Sequence, residues 1–220
     1  MGTAERRERE KEQRRNDIID AAEKVFFSKG MPNATMEEVA EAAELSKGTI
    51  YLYFKNKEDL YLAIILRGIA ILQEMFEKAV ASHDTGLAKI EAVGRSFFSF
   101  CNTHPDYFQA MLYFESSGEP AGEEATAGYA VECQAQSVRT LEICAQAVQK
   151  GIDDGTLRSD LDPTKTAMTL YGMSVGLLQI VCMKRSMLED EHKVDPDELI
   201  EYFFEFVMHS LIATEPESHA

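Results

Sequence analysis

Runs of Val, Ile and Thr with a period of two are missing from this 220-residue chain. Helix formers (Ala, Glu, Leu, Lys, Gln, Met) dominate instead, which argues against a sheet-based architecture and predicts an all-α chain of about nine helices. Paired cysteines are missing too. Cys101, Cys133, Cys144 and Cys182 contain no CxxC spacing, and each falls inside a predicted helix. The first residues, MGTAERRERE, hold no apolar stretch of the kind a secretory signal needs, so the expected compartment is the reducing cytoplasm. Two readings of the thiols stand: buried structural groups, or a redox pair of Cys133 and Cys144, which lie near one helix face.

Catalytic signatures are also lacking. There is no HExxH and no Walker loop, and His83, His104, His192, His209 and His219 form no cluster with metal-ligand spacing. The chain is therefore read as a non-enzyme with no cofactor and no metal. Thr166 to Met183 is uncharged and near the length of a membrane span. It contains Thr, Ser, Gln and Gly, and the expectation is a helix buried on all sides in a core or a subunit interface, with no membrane partner.

What is present is acidic and unevenly spread. The chain carries 38 acidic and 22 basic residues, a formal charge of −16. Residues 1–62 hold 11 basic and 13 acidic side chains; residues 63–220 hold 11 and 25. The larger part would repel phosphate, so any polyanion must meet the first quarter. There, LSKGTIYLYFKNK, Leu45 to Lys57, has three lysines, two tyrosines and no carboxylate.

The helices flanking that stretch make it interpretable. Ile18, Ala22, Val25 and Phe26 form one stripe of a helix over about 16–29, stopped by Gly30 and Pro32. Thr35 opens a second helix through a capping box with Glu38, with Val39, Ala40 and Ala43 inward. Ser46 caps a third helix soon after. Two short helices joined by a tight turn form a helix-turn-helix pattern. A fourth helix starts within Asn56 to Asp59 and runs to about Ser82. Further helices are predicted at 87–103, 105–116, 124–151, 164–186 and 196–213, the last two behind the capping aspartates Asp162 and Asp195.

On the third helix, read as Ser46–Phe54, Ile50 and Phe54 share the inner face. Gly48, Thr49 and Leu52 lie opposite, flanked by Lys47, Tyr51 and Tyr53. A lean outer face with a free N-terminus suits entry into a groove. Thr49 can donate to a base edge or a phosphate, and Leu52 can touch a thymine methyl. Tyr51, Tyr53 and Lys57 can reach backbone oxygens.

The stretch AAEKVFFSKGMPNATMEEVAEAAELSKGTIYLYFKNKEDLYLAII resembles the DNA-binding region of the tetracycline-repressor (TetR) family of transcriptional regulators, and SKGTIYLYFKNKEDL is its most specific part. The resemblance implies a helix-turn-helix DNA-binding domain with a charged leader at 1–62, a helical ligand-binding and dimerisation domain at 63–213 and a polar tail at 214–220. It implies a homodimer through the helices near 164–186 and 196–213, and a repressor that leaves a palindromic operator when a small molecule binds. By position it puts the DNA contacts on Thr35, Lys47, Gly48, Thr49, Tyr51, Tyr53 and Lys57. One departure stands out: the family usually has glycine in the turn where this chain has Glu44. If that residue takes a positive φ, glutamate costs about 1 kcal/mol there.

Two features allow more than one reading. The leader ERREREKEQRR is either a minor-groove arm or a charged extension of the first helix with pairs such as Glu5–Arg9 and Glu10–Arg14. The aromatic and methionine residues Phe97, Met111, Phe114, Tyr129, Met168 and Tyr171 are candidates for an adaptable apolar effector pocket, although helical spacing suits most of them equally to an ordinary core. The competing functional class is a DNA-independent helical adaptor built on 166–183 and 196–213.

Overall fold

Local sequence signals set most helix boundaries. The structure is a computed structural model and describes residues 2–116 and 127–213. Among these residues there are nine α-helices, one π-helical turn at Met187–Glu191 and no strand; a single bridge joins Leu157 to Ile212. The tail at 214–220 and the first residues of the helix expected from 124 lie outside the described residues.

α1 (Thr3–Lys29) begins far ahead of the expected 16, so the leader is helical and not an extended arm. Its ion pairs are Arg6–Glu10 and Glu12–Arg15, in place of the two expected pairs. It ends at Gly30, whose φ of 75° a side chain would resist and whose N–H donates to Phe26 O. α2 (Met36–Ala42) carries the expected capping box: Thr35 Oγ1 accepts from the Glu38 N–H at 3.3 Å, and the Glu38 carboxylate accepts from the Thr35 N–H at 3.1 Å.

α2 closes with both bonds of a Schellman turn, Leu45 N–H to Ala40 O and Glu44 N–H to Glu41 O. That turn needs a left-handed residue, and Glu44 supplies it with φ 55°. α3 (Lys47–Tyr51) is shorter than the expected Ser46–Phe54; beyond Tyr51 the chain continues in tight turns, with Phe54 N–H still bonded to Ile50 O. α4 (Lys57–Ala81) starts where Asn56 Oδ1 accepts from the Asp59 N–H at 2.7 Å.

α5 (Gly86–Thr103), α6 (Pro105–Ser116), α7 (Ala127–Asp153), α8 (Pro163–Met183) and α9 (Pro196–Leu211) complete the chain. Asp162 and Asp195 cap α8 and α9 by accepting backbone N–H bonds, each with proline in the first helical turn.

Two compact units result. The first comprises Met1–Ala70 with Pro105–Gln136, the second Ile71–His104 with Ser137–Ala220. In the first, Ile18, Ala22, Val39, Ile50, Phe54, Leu60 and Ile64 are fully buried in one cluster. Tyr61 donates from inside it to Ala110 O on α6 at 3.1 Å.

In the second unit the core is Ile90, Ala147, Val148, Leu157, Val207 and Leu211. α5 and α7 meet there without room for a side chain, since a Cβ on Gly86 would fall 2.0 Å from Gly151 N. The turn after α7 caps α5: Asp154 accepts from the Gly86 N–H and Thr156 Oγ1 from the Leu87 N–H. The Thr156 hydroxyl and the Gly86 N–H hold the Asp154 carboxyl down at about 2.

Candidate nucleic-acid interface

α3 is only five residues long, so its position depends on what lies behind and beneath it. Ile50 and Phe54 are 0% exposed. Phe54 stacks on Tyr129 at the start of α7, with ring centroids 6.1 Å apart. The Arg15 guanidinium lies over both rings, 5.9 Å from Phe54 and 5.5 Å from Tyr129, and donates to the Tyr129 hydroxyl. Two segments far apart in sequence, α1 and α7, therefore hold the back of the recognition segment.

The front is bare. Leu52 is 82% exposed and Tyr51 43%; Lys47 and Gly48 are exposed, and Thr49 and Tyr53 are half-buried. Ser46 Oγ accepts from the Thr49 N–H at 3.1 Å and lies 2.8 Å from Thr49 Oγ1. If Ser46 donates in that hydroxyl pair, the Thr49 proton stays free to reach outward.

The three lysines of Leu45–Lys57 have three different fates. Lys47 pairs with Glu37 on α2 and sits 5.8 Å from the Tyr51 ring. The hydrogen bond between them holds the Glu37 carboxyl below the usual carboxylate range and raises Lys47 above its own. The Lys57 ammonium donates to Met31 O at 2.9 Å and Ala34 O at 3.2 Å, with a longer contact to Pro32 O. It thus ties down the α1–α2 turn that presents Thr35. Lys55 is exposed, and its ammonium has no partner among the described residues. Its availability could not be read from spacing, because it is the tertiary contacts that occupy the other two.

The six effector candidates are divided between the two units. Met111, Phe114 and Tyr129 pack against the core of the first unit. In the second unit, Phe97 is buried with its ring 6.1 Å from Tyr171, while Tyr171 and Met168 are largely exposed. An open depression of about 610 Å³ in that unit, edged by Ala79, His83, Glu91 and Arg95, contains none of the six. Arg95 itself is committed to a two-bond pair with Glu201 and to the Phe204 face.

Burial pushes the Cys101, Cys133 and Cys144 thiols up to about 12. The Cys133 thiol donates to Leu62 O, and burial disfavours the thiolate that a redox sensor needs at both Cys133 and Cys144. Cys182, expected to be buried with the others, is exposed. Among the described residues no group of acidic, His or Cys side chains could hold a metal ion, and no helix is long and apolar enough to cross a membrane.

Residues 18–64 match the family described as "Bacterial regulatory proteins, tetR family". The fatty acid metabolism regulator protein of Bacillus subtilis (strain 168) is 32% identical over 159 residues, 70% of this chain and 76% of that protein. The HTH-type transcriptional activator FasR of Mycolicibacterium smegmatis is 28% identical over 197 residues, 89% of this chain and 82% of that protein. Among solved structures, the transcriptional regulator FadR of Bacillus subtilis in complex with stearoyl-CoA is similar with a TM-score of 0.66 at 22% identity. The match covers 88% of this chain and 97% of that one, a likeness of fold.

Proposed function

The chain belongs to the tetR family of bacterial regulatory proteins and is a transcriptional regulator; from that premise we propose that it binds a palindromic operator as a homodimer and is released by an apolar small molecule. The observation that carries this reading is the contrast across one short segment, with Ile50 and Phe54 fully buried behind and Leu52 and Tyr51 bare in front. A segment anchored in that way can enter a major groove without disturbing its own core. Two such segments about 34–36 Å apart would meet successive grooves on one side of the duplex.

The proposed DNA contacts are Thr35, Lys47, Gly48, Thr49, Tyr51 and Tyr53. Leu52 is proposed to read a thymine methyl. Lys57 serves them by holding the Met31–Ala34 turn.

The proposed dimer surface is the outward side of α9, where Tyr202 and Phe206 are 65% and 59% exposed one turn apart, together with Met173 and Ile180 of α8. Met168 and Tyr171 lie on a different side of α8, and with Phe97 they are the proposed effector contacts. The first effectors to try are long-chain acyl compounds, a choice supported by the Bacillus subtilis fatty acid metabolism regulator and by the stearoyl-CoA complex. Repression is the proposed outcome; activation is the alternative suggested by the name of the Mycolicibacterium smegmatis relative.

The test is selection of duplex from a random pool, followed by titration of the selected site with Tyr51→Ala and Leu52→Ala. Each should weaken binding by about 1–3 kcal/mol. Unchanged affinity in both would remove the contact claim. Addition of stearoyl-CoA should release the duplex, and a reporter driven from the site separates repression from activation.

A further inference from the structure

α1 begins at Thr3, although its first buried residue is Ile18. From Thr3 to Arg14 the turns are exposed and stabilise nothing by burial. Their charges are sorted by position. At 100° per residue, Arg7, Lys11 and Arg14 fall within about 60° of one another, Glu5, Glu8 and Glu12 lie about 100–160° round from Arg7, and Glu10 borders the stripe. The other basic residues of this stretch are engaged within the chain. Arg6 pairs with Glu10, Arg9 donates to Glu5 O, and Arg15 is held by Glu12 and Tyr129. Arg7, Lys11 and Arg14 have no hydrogen-bond or ion-pair partner among the described residues.

The direction of this stripe is informative. Ile18 continues the same line along the helix and is fully buried in the cluster that contains Ile50 and Phe54. Arg15, the next residue after Arg14, lies over the Phe54 ring. Lys55, with its free ammonium, follows Phe54. The three unpaired cations therefore begin beside the end of the recognition segment and extend away from it along the core-facing side of α1. From Arg7 to Arg14 the rise is about 10 Å, and one DNA strand presents a phosphate about every 3.4 Å along the axis. In a chain of net charge −16, a line of unneutralised cations of that length is complementary to a phosphate backbone.

We propose that Arg7, Lys11 and Arg14 form a second DNA-contacting surface, lying along the phosphates that flank the half-site met by Ser46–Phe54. This rests on the DNA-binding reading above. The stripe carries no base information; it adds affinity, salt dependence and footprint length.

The experiment uses the full chain, the selected duplex at core length, and the same duplex with ten further base pairs on each side. Binding is measured against KCl for the wild type and for the variant Arg7→Gln/Lys11→Gln/Arg14→Gln, whose substitutions are all at exposed positions. On the long duplex the variant should lose about 2.7 units of log–log salt slope per chain, equivalent to about 40-fold per chain between 50 and 200 mM. On the core duplex it should match the wild type, and its preference for the selected over a scrambled site should be unchanged. An unchanged slope on the long duplex overturns the proposal. So does an unchanged slope accompanied by loss of binding to anionic phospholipid vesicles, which assigns the stripe to a membrane surface. Failure of the wild type to bind any duplex removes the DNA reading itself, and is distinguishable from both.

Discussion

The two units handle their aromatic residues differently. In the first, Phe26, Phe54 and Tyr61 are buried, and among the described residues the large apolar side chains that remain bare are Tyr51 and Leu52 on the recognition segment, Tyr113 on α6 and Val131 on α7. In the second, Phe98 and Phe204 form a buried pair with centroids 5.2 Å apart, yet Tyr202 and Phe206 on the same helix face outward. The first unit has a closed core and exposes apolar side chains together at its recognition segment and singly on α6 and α7. The second has a core together with an apolar face on the outside, which is how a helix looks when part of its burial is to come from another chain.

Phe54→Ala and Phe206→Ala test that contrast with the same substitution. Phe54→Ala should cost about 3–5 kcal/mol in urea unfolding, because it opens a cavity under α3. Phe206→Ala should change the stability of a dissociated chain by less than about 0.5 kcal/mol. If the order is reversed, the contrast is wrong.

The next effect in size concerns association. Tyr202→Glu/Phe206→Glu should shift sedimentation from dimer toward monomer by about two orders of magnitude in dissociation constant, since each charge would be buried unpaired in the proposed interface. A variant that sediments as the wild type does would place the partner surface elsewhere.

The smallest effect is a gain. Glu44→Gly relieves the left-handed backbone at φ 55° and should stabilise the fold by about 1 kcal/mol, seen as a rise of roughly 2–4 °C in melting temperature. No rise would mean that the Glu44 side chain offsets its own strain.

Legibility in the sequence followed the range of each interaction. Thr35, Ser46, Asp162 and Asp195 act within three residues of themselves, and all four cap helices as read. The stripe of Ile18, Ala22 and Phe26 repeats at helical spacing and is buried. The start of α1 came from the reading of the leader as a charged extension of the first helix and not from apolar periodicity, which is silent about turns that bury nothing. The extent of α3 was overread because Ile50 and Phe54 can both be anchored without continuous α-helix between them.

At the candidate site the outward face was legible, but the use of its lysines was not. Lys57 is held by a turn at Met31–Ala34, and Lys47 by Glu37 on the preceding helix. Tyr129, one of the effector candidates, reaches Arg15 from 114 positions away and stacks on Phe54. No spacing rule connects residues so far apart.

The pair of Lys47 and Glu37 has a consequence for how a duplex would be met. The carboxylate already neutralises that ammonium, so in the proposed complex engagement would be an exchange of one anion for another rather than capture by a bare cation. Little is gained from such a swap on arbitrary DNA, where the rest of the surface fits poorly. On a matching site the neighbouring contacts favour the exchange, and the displaced Glu37 is left beside the phosphates. Its proton affinity then rises, so binding should tighten as the medium becomes more acidic.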